Sequence, residues 1–307
     1  MTFVSKFEVK PKVAEEALIE GLFRRSSPID GVYGRTESYG TAYDALNRFI
    51  SKYRQPNVES LSFPPVIDRK IIERLGYLKS FPNLLGCVCG LSGSEREISS
   101  VVDRANGGGE WTNSLSAHDL VLAPAACYAI YPLAAARTIP SEGLSYDVCC
   151  ECFRREPSSD VDRMQSFRMR EFVSIGTEKQ TRDFRDQWLE RAKGFADKLG
   201  LNYRIAPASD PFFGRAGALL SQAQAEQQLK FELLVPVRSV DRPTACMSFN
   251  CHQDHFGIAM DLRGDDGATC HSACVAFGMD RLVVALFASH GVSISDWPSS
   301  VREALVL

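Results

Sequence analysis

Apolar and polar positions recur along this chain with two different periods, and the switch between them marks its elements. Over residues 8–25, "EVKPKVAEEALIEGLFRR", apolar residues return at helical spacing after Pro11, and "ESYGTAYDALNRFISKYR" repeats that amphipathic pattern. "SFPPVIDRKIIERLGYLKSFP" changes character, with a short helix from Val66 to Leu75, a stop at Gly76 and an extended run to Pro82. "NGGGEW" at 106–111 is a turn. "DLVLAPAACYAIYPLAAA" begins as a strand, turns at Pro124 and resumes as a helix. "YDVCCECFRRE" and "RMREFVSIGT" read as two strands, and the polar loop from Pro157 to Gln165 closes them into an antiparallel hairpin. "RDFRDQWLERAKGFADKLG" is a helix stopped at Gly200. "NYRIAPASDPFFG" is a strand and a loop, and "AGALLSQAQAEQQLK" a further helix. "FELLVPV", "ACMSFNCH" and "FGIAMDL" read as strands, and "FGMDRLVVALFASHG" as a C-terminal helix. Helices packed on a mostly antiparallel sheet define an α+β class.

Composition narrows the function classes. At 307 residues, 45% hydrophobic and 24% charged, the chain has the make-up of an ordinary globular protein of one large or two modest domains. A formal net charge of −3 argues against tracking a long nucleic acid, which calls for a basic excess. No signal peptide opens the chain and no apolar run reaches membrane-spanning length, so a cytoplasmic location is expected. In that setting the 10 cysteines are thiols or metal ligands rather than disulfides.

Arginine is nonetheless concentrated around one turn, in "CFRREPSSDVDRMQSFRMREF". Alternate residues of a strand share a face, so Arg154 and Glu156 point one way, and Arg168 and Arg170 share a face on the return strand that Phe172 continues. A guanidinium fork suits a phosphate, a carboxylate can accept from an exocyclic amine, and a phenyl ring can stack on a purine. A solvated strand face with scattered ion pairs is the plainer alternative.

"FRRE", a loop, then "RMREF" resembles the second motif of class II aminoacyl-tRNA synthetases, the seryl enzymes most of all. "IIERLGYLKSFP" resembles the first motif, which builds the dimer interface in that family, and "CVAFGMDRLVVALF" the third. The resemblance implies a class II catalytic fold over 61–307, with residues 1–60 a helical segment packed on it. It implies that Arg154 holds the ATP α-phosphate and the attacked carboxylate. Glu156 would read the adenine amino group, and Phe172 and Arg281 would sandwich the ring. Arg168 joins this ATP set, with Mg²⁺ on the phosphates.

The departures from the family pattern point further. The stretch that reads the substrate amine in ordinary seryl enzymes is here "APAAC", ending in Cys127, and the third motif carries Cys274. With Glu171 these make a credible Zn²⁺ set with one open position, although free cysteines also serve as small buried hydrophobes. This is similar to the atypical zinc-dependent seryl-tRNA synthetases of methanogenic archaea. Glu232, Ser248 and Asn250 are candidates for the amino-acid pocket, while His252 and His255 could line it or order metal ions. The roughly 60 residues before the first motif hold no heptad run and no basic stripe, so no tRNA grip is expected.

That combination resembles the amino acid:[carrier protein] ligases. It implies activation of glycine or alanine as an adenylate, and transfer to the phosphopantetheine thiol of an acyl or peptidyl carrier protein by a homodimer with one zinc per subunit. The helix around Ala216–Lys230 is a candidate carrier-docking element, with Arg215 and Lys230 as basic contacts. A compact seryl-tRNA synthetase-like enzyme and a non-catalytic paralogue remain as alternatives.

Overall fold

The computed structural model describes residues 3–5, 10–56 and 58–307. The chain starts with β1 (Phe3–Ser5), α1 (Glu15–Leu22), the short ladder of β2 (Phe23–Arg24) with β3 (Gly34–Arg35), and α2 (Glu37–Ser51). Residues 8 and 9 of the first expected helix lie outside the described residues. Next come β4 (Glu59–Phe63), β5 (Val66–Asp68), α3 (Arg69–Arg74), α4 (Tyr77–Ser80), β6 (Cys87–Leu91), α5 (Glu95–Asn106) and β7 (Leu115–Leu122). A 3-10 turn at Cys127–Ala129 leads into α6 (Ile130–Ala135). The hairpin β8 (Leu144–Phe153) and β9 (Ser166–Gly176) follows, then α7 (Glu178–Lys198), β10 (Tyr203–Pro207), α8 (Gly214–Glu226), β11 (Lys230–Val235) and β12 (Thr244–Gln253). The chain closes with α9 (His255–Met260), β13 (His271–Gly278), α10 (Met279–His290) and α11 (Ser299–Leu305). No helix is long and apolar enough to cross a membrane among the described residues.

Eight strands form one sheet in the order β1-β10-β11-β12-β13-β9-β8-β4, and β5-β7-β6 form a smaller one. The large sheet is antiparallel except where β4 runs parallel to β8. One face is covered by α2, α7 and α10, with Tyr39, Phe49, Trp188, Phe195, Phe277 and Leu282 in its core. Thr177 and Gln180 cap the start of α7 reciprocally, and its Trp188, Leu189, Ala192, Phe195 and Ala196 recur on the buried side. Gly200 ends that helix at φ 61°, a left-handed conformation that favours glycine. The other face is covered by α3, α6 and α9 around Ile72, Tyr131 and Phe256.

Two expected strands are helices. Phe256 and Met260 are buried four residues apart while Ile258 between them is exposed, which is helical spacing, so "FGIAMDL" turns as α9. After Gly76, whose φ of 78° breaks the backbone direction, Tyr77–Ser80 form α4 rather than an extended run. A helix followed by a strand closing on proline does exist one step earlier. It is α2 followed by β4, which runs into Pro64 and Pro65 and lies parallel to β8.

Candidate functional site

The site stands on the sheet face opposite α7. Its floor follows from register: Glu171 lies beside Ala276, Ala276 beside Ser248, and Ser248 beside Glu232. The adjacent row runs from Val173 through Cys274 and Asn250 to Lys230. Alternation along each strand points all eight to one side. Above them, the turn after Pro124 brings two backbone N–H groups, of Ala126 and Cys127, onto Glu171 Oε1 at 2.9 and 3.1 Å. That contact draws the Cys127 thiol down to the sheet.

Cys127, Glu171 and Cys274 converge as the motif reading expects. One donor atom from each lies within 4.8 Å of the other two, and all three residues are buried. Hydrogen bonding to Cys274, burial and the Glu171 carboxylate push the Cys127 thiol well up. For Cys274 the hydrogen bond from Cys127 pulls down, but burial and Glu171 carry it above its ordinary value. Two thiols that cannot ionise easily beside a carboxylate fit a bound dication, which would favour both thiolates at once. Two sulfurs and one carboxylate are zinc-type donors that leave a fourth position open. Asn250 Nδ2 donates to Cys274 Sγ at 3.3 Å and to Ser248 Oγ at 3.1 Å, so two of the expected amino-acid-pocket residues lie next to this cluster. Glu232 is paired with Lys230 at 3.1 Å, and Lys230 also binds Asp210 at 2.6 Å.

Arg154 lies just past the end of β8. Its Nε donates to the Pro124 carbonyl at 3.0 Å, and its guanidinium stands 5.5 Å from the Phe167 ring centroid. Tyr77, pushed up to about 12 chiefly by burial, has both Arg154 and Glu156 among its charged neighbours. Arg281, at the start of α10, donates to the Asp162 carbonyl and the Ala245 carbonyl, each at 3.1 Å. Burial lowers the Arg281 value; Asp162 opposes this and the charge of Arg154 adds to it. Two guanidiniums close enough to repel each other suit a polyanion held by both.

Arg168 and Phe172 are not at this site. Arg168 donates to Asp280 at 2.7 Å and lies 3.5 Å from the Tyr43 ring centroid. Phe172 is only 5% exposed and packs against Trp188 and Phe277. Arg170, of the same face, is locked to Asp147 at 2.6 Å. This face looks toward α2, α7 and α10, so these arginines tie the hairpin to the helical layer. The aromatic ring beside Arg154 is Phe167, which shares parity with Glu171. Strand alternation alone could have found it, because residues 171 and 172 cannot face the same way. The Lys230–Asp210 pair gave no sequence signal, since Asp210 sits in a loop 20 residues from its partner.

Residues 111–290 match the family described as tRNA synthetase class II core domain (G, H, P, S and T). The chain is 53% identical over 303 residues to amino acid–[acyl-carrier-protein] ligase 1 of Bradyrhizobium diazoefficiens, covering 98% of this chain and 93% of that one. It is 54% identical over 292 residues to ligase 2 of the same organism, covering 94% and 87%. The type-2 serine–tRNA ligase of Methanopyrus kandleri is 26% identical over 318 residues, covering 95% of this chain and 60% of that one. Among solved structures, the M. kandleri seryl-tRNA synthetase in complex with A. aeolicus tRNASec superposes with a TM-score of 0.81 at 22% identity, which shows a shared fold. That superposition covers 99% of this chain and spans 62% of the synthetase chain.

Proposed function

The chain belongs to the amino acid–[acyl-carrier-protein] ligases, built on the class II tRNA-synthetase core, and we propose that it activates glycine or alanine with ATP and passes it to a carrier protein. The observation that carries this reading is the buried Cys127–Glu171–Cys274 set, with Arg154 bonded to the Pro124 carbonyl just before Cys127 and close enough to Arg281 for the two charges to interact. In the first step the substrate carboxylate oxygen attacks the ATP α-phosphorus. The bond to the bridging oxygen breaks and pyrophosphate leaves with its electron pair. Arg154 and Arg281 flank the phosphates and stabilise the charge that builds there, with Mg²⁺ accompanying the nucleotide. Cys127, Glu171 and Cys274 would hold one Zn²⁺ per subunit, which supplies a Lewis-acid position for the neutral amino group. In the second step the phosphopantetheine thiolate of the carrier attacks the acyl carbon and AMP leaves, giving a thioester. No nucleophile of this chain is consumed.

Buried Lys230, braced by Asp210 and Glu232, lies across the ladder from Asn250, and a floor filled in this way suits a small substrate side chain. The ten cysteines are all free, in keeping with a cytoplasmic, reducing setting. A homodimer is the assembly this reading expects.

The test is ATP–pyrophosphate exchange against the twenty amino acids, followed by thioester formation on a phosphopantetheinylated carrier. Exchange with glycine or alanine and transfer to the carrier supports the reading. Exchange with serine and charging of tRNA overturns it. Cys127→Ala is expected to lose zinc by elemental analysis and to lose exchange, while Arg154→Ala loses exchange with zinc retained.

A further inference from the structure

His252 lies beside the Cys274 sulfur, and the proposed reaction leaves it without a role. Its Nε2 is 3.6 Å from Cys274 Sγ. Its Nδ1 is 3.0 Å from Ser272 Oγ and 3.4 Å from the Tyr131 hydroxyl, and those two hydroxyls are 3.5 Å apart. Phe256 packs edge-on against the ring at 4.8 Å, which fixes its plane. His252 does not belong to the group of donors within 4.8 Å of one another, so its ring stands outside the set of three.

We propose that His252 is a positioning residue of the metal centre: it donates its Nε2–H to the Cys274 thiolate, and the Tyr131–Ser272 hydroxyl pair holds it in that tautomer. The inference rests on the metal reading above. A neutral imidazole carries one N–H and one lone pair. A metal-bound thiolate has no proton to give, so an Nε2 lone pair facing it would be repelled. At Nδ1, by contrast, two hydroxyls converge, and each can donate. The Tyr131 phenol is buried and stays protonated, since burial raises it well above its ordinary value. Whichever hydroxyl turns its proton to Nδ1, the ring proton goes to Nε2 and points at sulfur. With Asn250 Nδ2 at 3.3 Å, the Cys274 sulfur then receives two N–H donors, as Glu171 Oε1 receives two backbone N–H groups. Donors of this kind orient a ligand and temper its charge, and losing one typically costs 10–100-fold in metal affinity.

Metal affinity is measured by chelator competition, and the sulfur-to-cobalt absorption band is read on protein substituted with Co²⁺. His252→Ala is expected to release metal at about 10–100-fold lower chelator concentration, with the band displaced. His252→Gln, which can place an amide N–H near the Nε2 position, is expected to restore both toward wild type. Ser272→Ala is expected to give a smaller shift in the same direction. A His252→Ala protein with wild-type retention and an unmoved band overturns the proposal. So does weakening in both variants with the band unmoved, which means the ring only packs. Wild-type protein that shows no thiolate band would overturn the metal reading itself rather than the role of His252.

Discussion

One step of strand parity separates two phenylalanines with opposite expected roles. Phe167 lies beneath the Arg154 guanidinium, and Phe172 faces the helical layer between Trp188 and Phe277. Stacking of a base on an aromatic ring is worth about 1–3 kcal/mol. Phe167→Ala is therefore expected to raise the KM for ATP roughly tenfold, with little change in Tm. Phe172→Ala removes a buried ring and is expected to cost about 3–5 kcal/mol of stability, with the KM for ATP unchanged in the folded fraction. Exchange kinetics and thermal unfolding on both variants check this, and the opposite pattern would return Phe172 to the nucleotide site. The Cys127–Glu171–Cys274 cluster was legible only through the family resemblance, since free cysteines by themselves read as small buried hydrophobes. The arginines were harder: Arg168 and Arg170 look like phosphate ligands in sequence. Their partners Asp280 and Asp147 lie 112 and 23 residues away, and only the fold brings them together.

At the scale of elements, what local chemistry dictates was legible. The hairpin of β8 and β9, the end of helix α7 at Gly200 and the turn at Pro124 stand where alternation, glycine and proline place them, while α7 begins at Glu178 behind its Thr177 cap, ahead of the expected start at Arg182. The misread elements, α4 and α9, are short runs of aromatic and aliphatic residues whose strand propensity is overridden by packing. Helix α8 raises a different question, because only Gly217 of it is buried. Leu219 is 70% exposed and Leu220 48%, and Phe213 just before the helix is 57% exposed. Its inner side is fastened to the site instead: Ser221 and Gln224 bind Asp210, which binds Lys230. An apolar outer surface tethered to the pocket suits a docking protein. Leu219→Asp together with Leu220→Asp is expected to leave glycine-dependent exchange unchanged and to slow thioester transfer at least tenfold, the size of a lost interface anchor. Transfer at the wild-type rate in that variant would move the carrier to another surface.

For the molecule as a whole, the three donors of the proposed metal set come from three separate segments of the chain. Cys127 lies in the cover over the sheet, Glu171 on β9 of the hairpin, and Cys274 on β13. An ion held by all three binds the folded chain and not the unfolded one, so it stabilises by mass action. At a free metal concentration 100 times the Kd this amounts to about 2.7 kcal/mol. For a chain of this length that is a shift of about 4 °C in Tm. Chelation is expected to lower the wild-type Tm by that order, and adding back Zn²⁺ to restore it. The Cys274→Ala protein is expected to start lower and to ignore the chelator, because its set is already broken. The core on the helical face, built on Trp188, Phe195 and Phe277, does not include the donors, so the apo chain is expected to keep its sheet and helices. Circular dichroism of the chelated protein should therefore match the loaded one below the transition. A chelated protein proved metal-free by elemental analysis, yet melting with the untreated one, would mean that the three donors do not close on an ion.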